Sequence, residues 1–247
     1  MHPGCPNNTD KNRRWLLPDV NSYSGIKAVV FDMDGTVMDT DVDYAALARV
    51  TEDEIVSIGV PRDVIDQDKA VQSTDHCMQW ILANKPDAIR GIDKRIGDRA
   101  TAVEMQNVQS ARPFPGAIEL INELHAAGYK VGILTRGGRK YMETVMGVTG
   151  TADLFDAAVA RDDYPHEEAK PSPKSIDHIA ERLGVGSSEI LFVGDSEVDC
   201  LTASNSHIPF IAVCTGHVDE KAWKAFAGDG AVILPSVADM AGMLPHL

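Results

Sequence analysis

The chain is predicted to be α/β: a Rossmann-like parallel sheet with helices on both faces and an inserted α-helical cap domain. Three observations predict it. Short apolar runs rich in β-branched residues recur at 26–31, 129–134, 190–193, 209–213 and 231–234, as buried parallel strands require. Stretches with helical spacing of apolar residues separate them, which is the rhythm of right-handed β-α-β crossovers. Between the first run and the second lies a long polar segment, 41–111, that reads as helical and contains no strand-like run.

The elements follow in order. Residues 1–24 hold Pro, Asn and Arg13-Arg14 without an apolar h-region, so they read as a polar N-terminal extension and not as a signal peptide. Ile26 to Phe31 is the first buried strand, and Asp32-Met33-Asp34-Gly35-Thr36 follows it directly. Strand alternation would point Asp32 and Asp34 the same way. Gly35 permits a sharp turn or a close approach to a ligand. Arg112-Pro113-Phe114-Pro115-Gly116 closes the helical insertion and, with Met38 to Thr40, reads as a hinge. The domains are thus 1–24 (extension), 25–40 with 112–247 (core) and 41–111 (cap).

In the second half, Ile118, Ile121 and Leu124 mark an amphipathic helix stopped at Gly128. Tyr129 to Leu134 is a strand ending in Thr135-Arg136-Gly137-Gly138, and a helix with Tyr141 and Val145 follows. A short strand is expected near Ala157 to Ala160. Ser172-Pro173 reads as an N-cap with proline at the first helical position, leading to a stop at Gly184. Ile190 to Val193 ends in Gly194-Asp195-Ser196, and two more strands, 209–213 and 231–234, each precede a helix.

Composition narrows the function. Of 247 residues 44% are hydrophobic, and acids outnumber bases 37 to 23 for a formal charge of −14. That balance argues against a nucleic-acid or anionic-membrane surface, so an anionic substrate must meet local cations or a metal. No apolar stretch reaches membrane-spanning length. Cys5, Cys77, Cys200 and Cys214 are scattered with no CxxC pair, which fits a reducing, cytoplasmic setting.

Ligands in open parallel sheets bind at the carboxyl ends of the strands. Asp32 with Asp34, Thr135 with Arg136, Lys170, and Asp195 with Asp199 all belong to that edge. Each has a bland reading: Thr135 as a cap, Lys170 as a solvated loop charge, Asp195 as a cap for the next helix, Asp199 on its wet face. Together they compose a phosphate site.

Their order and spacing resemble the haloacid dehalogenase superfamily of phosphohydrolases. The motifs are Asp32-Met33-Asp34-Gly35-Thr36, Leu134-Thr135, Lys170-Pro171 and Gly194-Asp195-Ser196-Glu197-Val198-Asp199. The insertion resembles the cap of the phosphoglycolate phosphatase and β-phosphoglucomutase subgroup. The resemblance implies that Asp32 is a nucleophile forming an aspartyl phosphate and Asp34 the general acid and base. It implies that Thr135 and Lys170 hold the phosphoryl group, with Thr36, Gly137 and the amides near Gly138 beside it. Arg136 either touches substrate or sits on the rim. Mg²⁺ would be held by Asp32, the Asp34 backbone carbonyl and Asp195, with Asp199 a further ligand or orienting the shell.

A haloalkanoic acid dehalogenase needs neither Asp34 nor Mg²⁺, so phosphate chemistry is favoured. The expected partner is a small phosphorylated metabolite, and the expected state is monomer or homodimer. His76, Trp80, Arg90, Lys94 and Arg95 are the candidates for reading the rest of the substrate. A phosphomutase, a phosphonatase using Lys69, Lys85 or Lys94, and a phospho-accepting signalling domain remain alternatives.

Overall fold

The computed structural model describes residues 23, 25–71, 74–89, 91–227 and 231–246. The extension read at 1–24, Tyr23 apart, and Arg90 lie outside the described residues. The described residues divide into two units, one spanning Asp43–Val103 and the other joining those before Asp43 to those from Glu104 onward.

The larger unit opens with β1 (Ala28–Phe31), fully buried, and β2 (Met38–Asp39). The smaller unit is helical: α1 (Tyr44–Ile58), α2 (Arg62–Val71), α3 (Asp75–Asn84), α4 (Pro86–Ile89) and α5 (Ile92–Glu104), whose last residue belongs to the larger unit. Asp43 starts α1 by accepting the Ala46 amide, and Gly59, at φ 86°, ends it. Its apolar core gathers Ile55, Ile58, Val60, Ile65, Cys77, Ile81 and Ile92.

The rest of the larger unit is β3 (Arg112–Pro113), α6 (Ala117–Ala126), β4 (Lys130–Leu134), α7 (Arg139–Thr149), β5 (Ala157–Val159), α8 (Lys174–Leu183), β6 (Ile190–Gly194), α9 (Glu197–Ser206), β7 (Phe210–Val213), α10 (Glu220–Ala227) and β8 (Val232–Leu234). Six strands form one parallel sheet in the order β5-β4-β1-β6-β7-β8. Counted along the chain that is 3-2-1-4-5-6, the doubly wound order. The strand order reverses between β1 and β6, and in sheets of this kind ligands bind outside the strands' carboxyl ends at that point.

Period-two alternation assigns the two faces. Val29 and Phe31 of β1 pack with Leu120, Ile121 and Leu124 of α6 and Tyr141, Met142 and Val145 of α7. Ala28 and Val30 face the other way, into the layer holding Ile176 and Ile179 of α8, Cys200 and Ala203 of α9, and Trp223 of α10. Helices cover both faces, as the sequence predicts.

Two local expectations are corrected and two are filled in. Strand β1 ends at Phe31, so alternation does not aim Asp32 and Asp34. Instead the chain winds into a tight turn in which Thr36, Val37 and Met38 all donate their amides to the Met33 carbonyl. The segments read as hinges pair with each other as an antiparallel ladder, Met38 with Pro113 and Asp39 with Arg112. Helix α8 starts at Lys174 with Pro173 as its cap residue; Ser172 contributes only its backbone carbonyl, which accepts the Ser175 amide and hydroxyl. The helix expected after β8 is of the 3-10 type, Val237–His246.

Candidate active site

Asp32 follows β1 and Asp195 follows β6, the neighbouring strands where the sheet order reverses. Thr135 follows β4 on the other side of β1. Lys170 precedes α8 across a cis peptide bond to Pro171. Its ammonium lies 2.5 Å from Asp32 Oδ1 and 2.6 Å from Asp199 Oδ1. All three side chains are buried.

Local chemistry fixes Asp199 first. Ser196 caps α9 and exchanges hydrogen bonds with Asp199 in a capping box, its hydroxyl donating to Asp199 Oδ2 at 2.5 Å. One oxygen of Asp199 therefore anchors the helix and the other meets Lys170. The bland reading of Asp199 as a solvated residue does not hold, since it has no exposed surface. Asp195 accepts the Thr36 hydroxyl at 2.9 Å. Two glycines crowd it. A Cβ at Gly35 would come within 2.5 Å of Asp195 Oδ2, and one at Gly216 within 1.7 Å. Gly35 also sits at φ 78°, where a side chain is strained.

Oxygens of Asp32, Asp195 and Asp199 all lie within 4.8 Å of one another. Burial pushes the Asp32 carboxyl well above its ordinary range; Lys170 opposes this, while Asp199, Asp195 and Asp34 add to it. Burial, reinforced by Asp199, raises Asp195 to about 7. Burial also works against the charge of Lys170, but Asp199 and Asp32 outweigh it and hold the ammonium above its usual value. One cation thus faces three buried carboxylates. Hard oxygen donors in such excess fit a hard divalent cation, which would balance their charge.

The remaining predicted residues are placed as follows. Asp34 is outside that cluster; its Oδ1 accepts from Tyr141 at 2.6 Å and Thr40 at 2.7 Å, and burial raises its pKa against both bonds. Thr135 is buried and its Oγ1 accepts the Gly137 amide at 2.9 Å, leaving its own O–H to donate. The Gly137 and Gly138 amides expected to face phosphate are both engaged here, Gly137 by Thr135 and Gly138 by Glu104 at 3.2 Å. Arg136 is exposed at the rim, with Arg161, Asp199 and Asp32 in its electrostatic surroundings. Lys94 pairs with Asp98, Arg95 with Glu54, and His76 with Asp68. Trp80 packs against the helical unit's own core.

Sequence reasoning passed over Tyr141 and Thr40 as partners of Asp34. It also passed over the Glu104–Arg161 pair, 2.6 Å apart, in which Arg161 additionally bonds the Arg136 carbonyl. A glutamate closing a polar helix and an arginine in a loop carry no local signal. Tyr141 was legible only as an apolar member of a helix face.

A doubly wound sheet thus gathers buried carboxylates and one lysine at its switch point, a set of groups suited to binding a cation and an anionic ligand. The model of the haloacid dehalogenase-like hydrolase family matches residues 29–213, and the chain belongs to that family. It is 28% identical over 192 residues to a phosphoglycolate phosphatase of Vibrio parahaemolyticus, covering 73% of this chain and 80% of the relative. It is 26% identical over 228 residues to a phosphoglycolate phosphatase of Thiobacillus denitrificans, covering 89% and 96%. The fold is shared with CbbY from Rhodobacter sphaeroides, solved in complex with phosphate, at a TM-score of 0.56 and 21% identity over 87% of this chain and 96% of that one.

Proposed function

We propose that this chain is a Mg²⁺-dependent phosphatase that hydrolyses a small phosphate monoester, of which phosphoglycolate is the leading candidate, through a phosphorylated Asp32. The observation that carries the reading is the buried trio of Asp32, Asp195 and Asp199 bridged by Lys170. The names of the phosphoglycolate phosphatase relatives supply the substrate class.

Carboxylates of Asp32, Asp195 and Asp199, with the Asp34 carbonyl, would hold the ion. Mg²⁺ bound there would supply the positive charge that screens an anionic phosphate from an anionic nucleophile. Lys170 holds one Asp32 oxygen and leaves the other to attack phosphorus. As the Asp32 O–P bond forms, the ester P–O bond breaks, and Asp34 gives its proton to the departing alkoxide. Asp34, now anionic, takes a proton from water as that water attacks phosphorus. The acyl phosphate P–O bond then breaks, returning the Asp32 carboxylate, inorganic phosphate and a protonated Asp34. Thr135 donates its free O–H to a phosphoryl oxygen. Arg136 would meet the substrate from the rim.

The helical unit, inserted between β1 and β4, serves in this reading as a cap that excludes water during the reaction. The free thiols Cys77, Cys200 and Cys214 suit a reducing cytoplasm. Among the described residues no helix is long and apolar enough to cross a membrane.

The test is phosphate release from a panel of monoesters, with Mg²⁺ and with chelator. Release that chelator abolishes, strongest on one ester, is the expected result. Interconversion of sugar phosphates without net release would favour a phosphomutase, and a stable acyl phosphate without turnover a signalling domain.

A further inference from the structure

We propose that Tyr141 is the positioning residue of Asp34, acting with Thr40 to aim a single oxygen of that carboxyl group at the departing oxygen of the ester. The proposal rests on the phosphatase reading above.

The Tyr141 hydroxyl and the Thr40 hydroxyl both donate to Asp34 Oδ1, at 2.6 Å and 2.7 Å. Two donors occupy the lone pairs of one carboxyl oxygen, so a proton on Asp34 resides on Oδ2. Among the described residues no hydrogen bond reaches Oδ2. The group is therefore presented with one oxygen tied and the other available, as a general acid requires. Without the two donors the carboxyl torsion is soft and roughly two-fold, and the proton-bearing oxygen would spend much of its time turned away.

A buried tyrosine needs some partner for its hydroxyl, and satisfying that need is the plainer account of the contact. Two further features argue for a built arrangement. Tyr141 is 1% exposed, so its ring is held by the apolar layer packed on the sheet. The turn after β4 is also shaped around the ring: a Cβ at Gly137 would lie 2.8 Å from Tyr141 Cδ1. Gly137 thereby contributes through its missing side chain, by letting Tyr141 reach Asp34.

The experiment compares two esters in the full chain with Mg²⁺: p-nitrophenyl phosphate, whose leaving group departs with little protonation, and an alkyl monoester such as phosphoglycolate, whose leaving group needs it. Tyr141→Phe keeps the ring and removes one donor. We expect kcat on the alkyl ester to fall about 10–100-fold with KM within about twofold, and the loss on p-nitrophenyl phosphate to be several-fold smaller. In an Asp34→Asn background the same substitution should cost nothing further. Thr40→Val, which keeps side-chain shape, should shift the ratio in the same direction. Equal losses on both esters, or an undiminished loss in the Asp34→Asn background, would overturn the proposal. So would a Tyr141→Phe variant as active as the parent, with the phosphatase reading left standing. A parent chain that releases phosphate from neither ester overturns both.

Discussion

Lys170 Nζ sits 2.5 Å from Asp32 Oδ1, 138 residues away in sequence, and touches Asp199 with the same ammonium. The lysine therefore couples the carboxylate after β1 to the first turn of α9. Loss of the lysine leaves both carboxylates buried without their cation.

Replacing Asp32 by Asn keeps shape and removes the nucleophile. Turnover of the preferred ester should fall by about 10⁴-fold or more, since displacement and acyl-phosphate formation both depend on that oxygen. Steady-state phosphate release measures it, and a variant with parental kcat would sink the mechanism.

Lys170→Met leaves two buried carboxylates facing Asp195 with no cation. Urea unfolding in chelator should show a loss of about 3–5 kcal/mol, the usual cost of breaking a buried pair by removing one partner. Saturating Mg²⁺ should restore part of it by binding the folded state alone. An unchanged midpoint in chelator would mean that the pair contributes no net stability.

Stability should depend on pH in a direction set by Asp195. Burial, with Asp199 beside it, raises this carboxyl to about 7, far above its value in an unfolded chain. Between roughly pH 4 and 7 the folded state holds a proton that the unfolded state has released, so metal-free stability falls as pH rises through that window. Raised Asp32 acts in the same sense. Urea midpoints in chelator should be higher near about pH 5 than near about pH 8, and Asp195→Asn should shrink the difference. With Mg²⁺ the trend should flatten or reverse, because the ion binds ionised carboxylates and its affinity grows with pH. A metal-free midpoint that climbs toward pH 8 contradicts the assignment.

Gly216→Ala tests how closely the backbone is fitted to the site. The added methyl would lie 1.7 Å from Asp195 Oδ2 and 2.6 Å from its Cγ, so the carboxylate must swing away. Calorimetric titration should show Mg²⁺ affinity reduced about 10–100-fold, the scale typical of disturbed ligand orientation. Unaltered affinity would exclude Asp195 from the ion site.

Much of the fold was legible because its signals are local. Apolar runs such as 190–193 fall in buried strands, and Gly128 and Gly184 fall at helix ends, since period and backbone permissiveness are properties of short segments. The Met38–Asp39 and Arg112–Pro113 ladder escaped because two residues cannot display a period and Pro113 speaks against a strand. The aim of Asp34 was misjudged for a related reason: alternation holds only while the strand lasts, and β1 stops at Phe31. Residues placed at strand ends by pattern, Asp32, Thr135 and Asp195, lie at neighbouring ends in the structure. Partners recruited through tertiary packing, Tyr141 and Glu104 among them, had no such marker. Helical spacing reports which face is apolar and says nothing of where a hydroxyl at the tip of a ring will reach.

The strand order also sets a schedule for synthesis. Ala28 of β1 bonds on one side to the strand beginning at Lys130 and on the other to the one beginning at Ile190. A ribosome adding about 5–20 residues per second would deliver the second neighbour roughly 8–30 s after β1. Through that interval one flank of Ala28-Val29-Val30-Phe31 has no native strand to pair with, and an exposed apolar edge can pair with other chains. Slow translation ahead of codon 190, or truncation before it, should therefore favour aggregation of nascent chains.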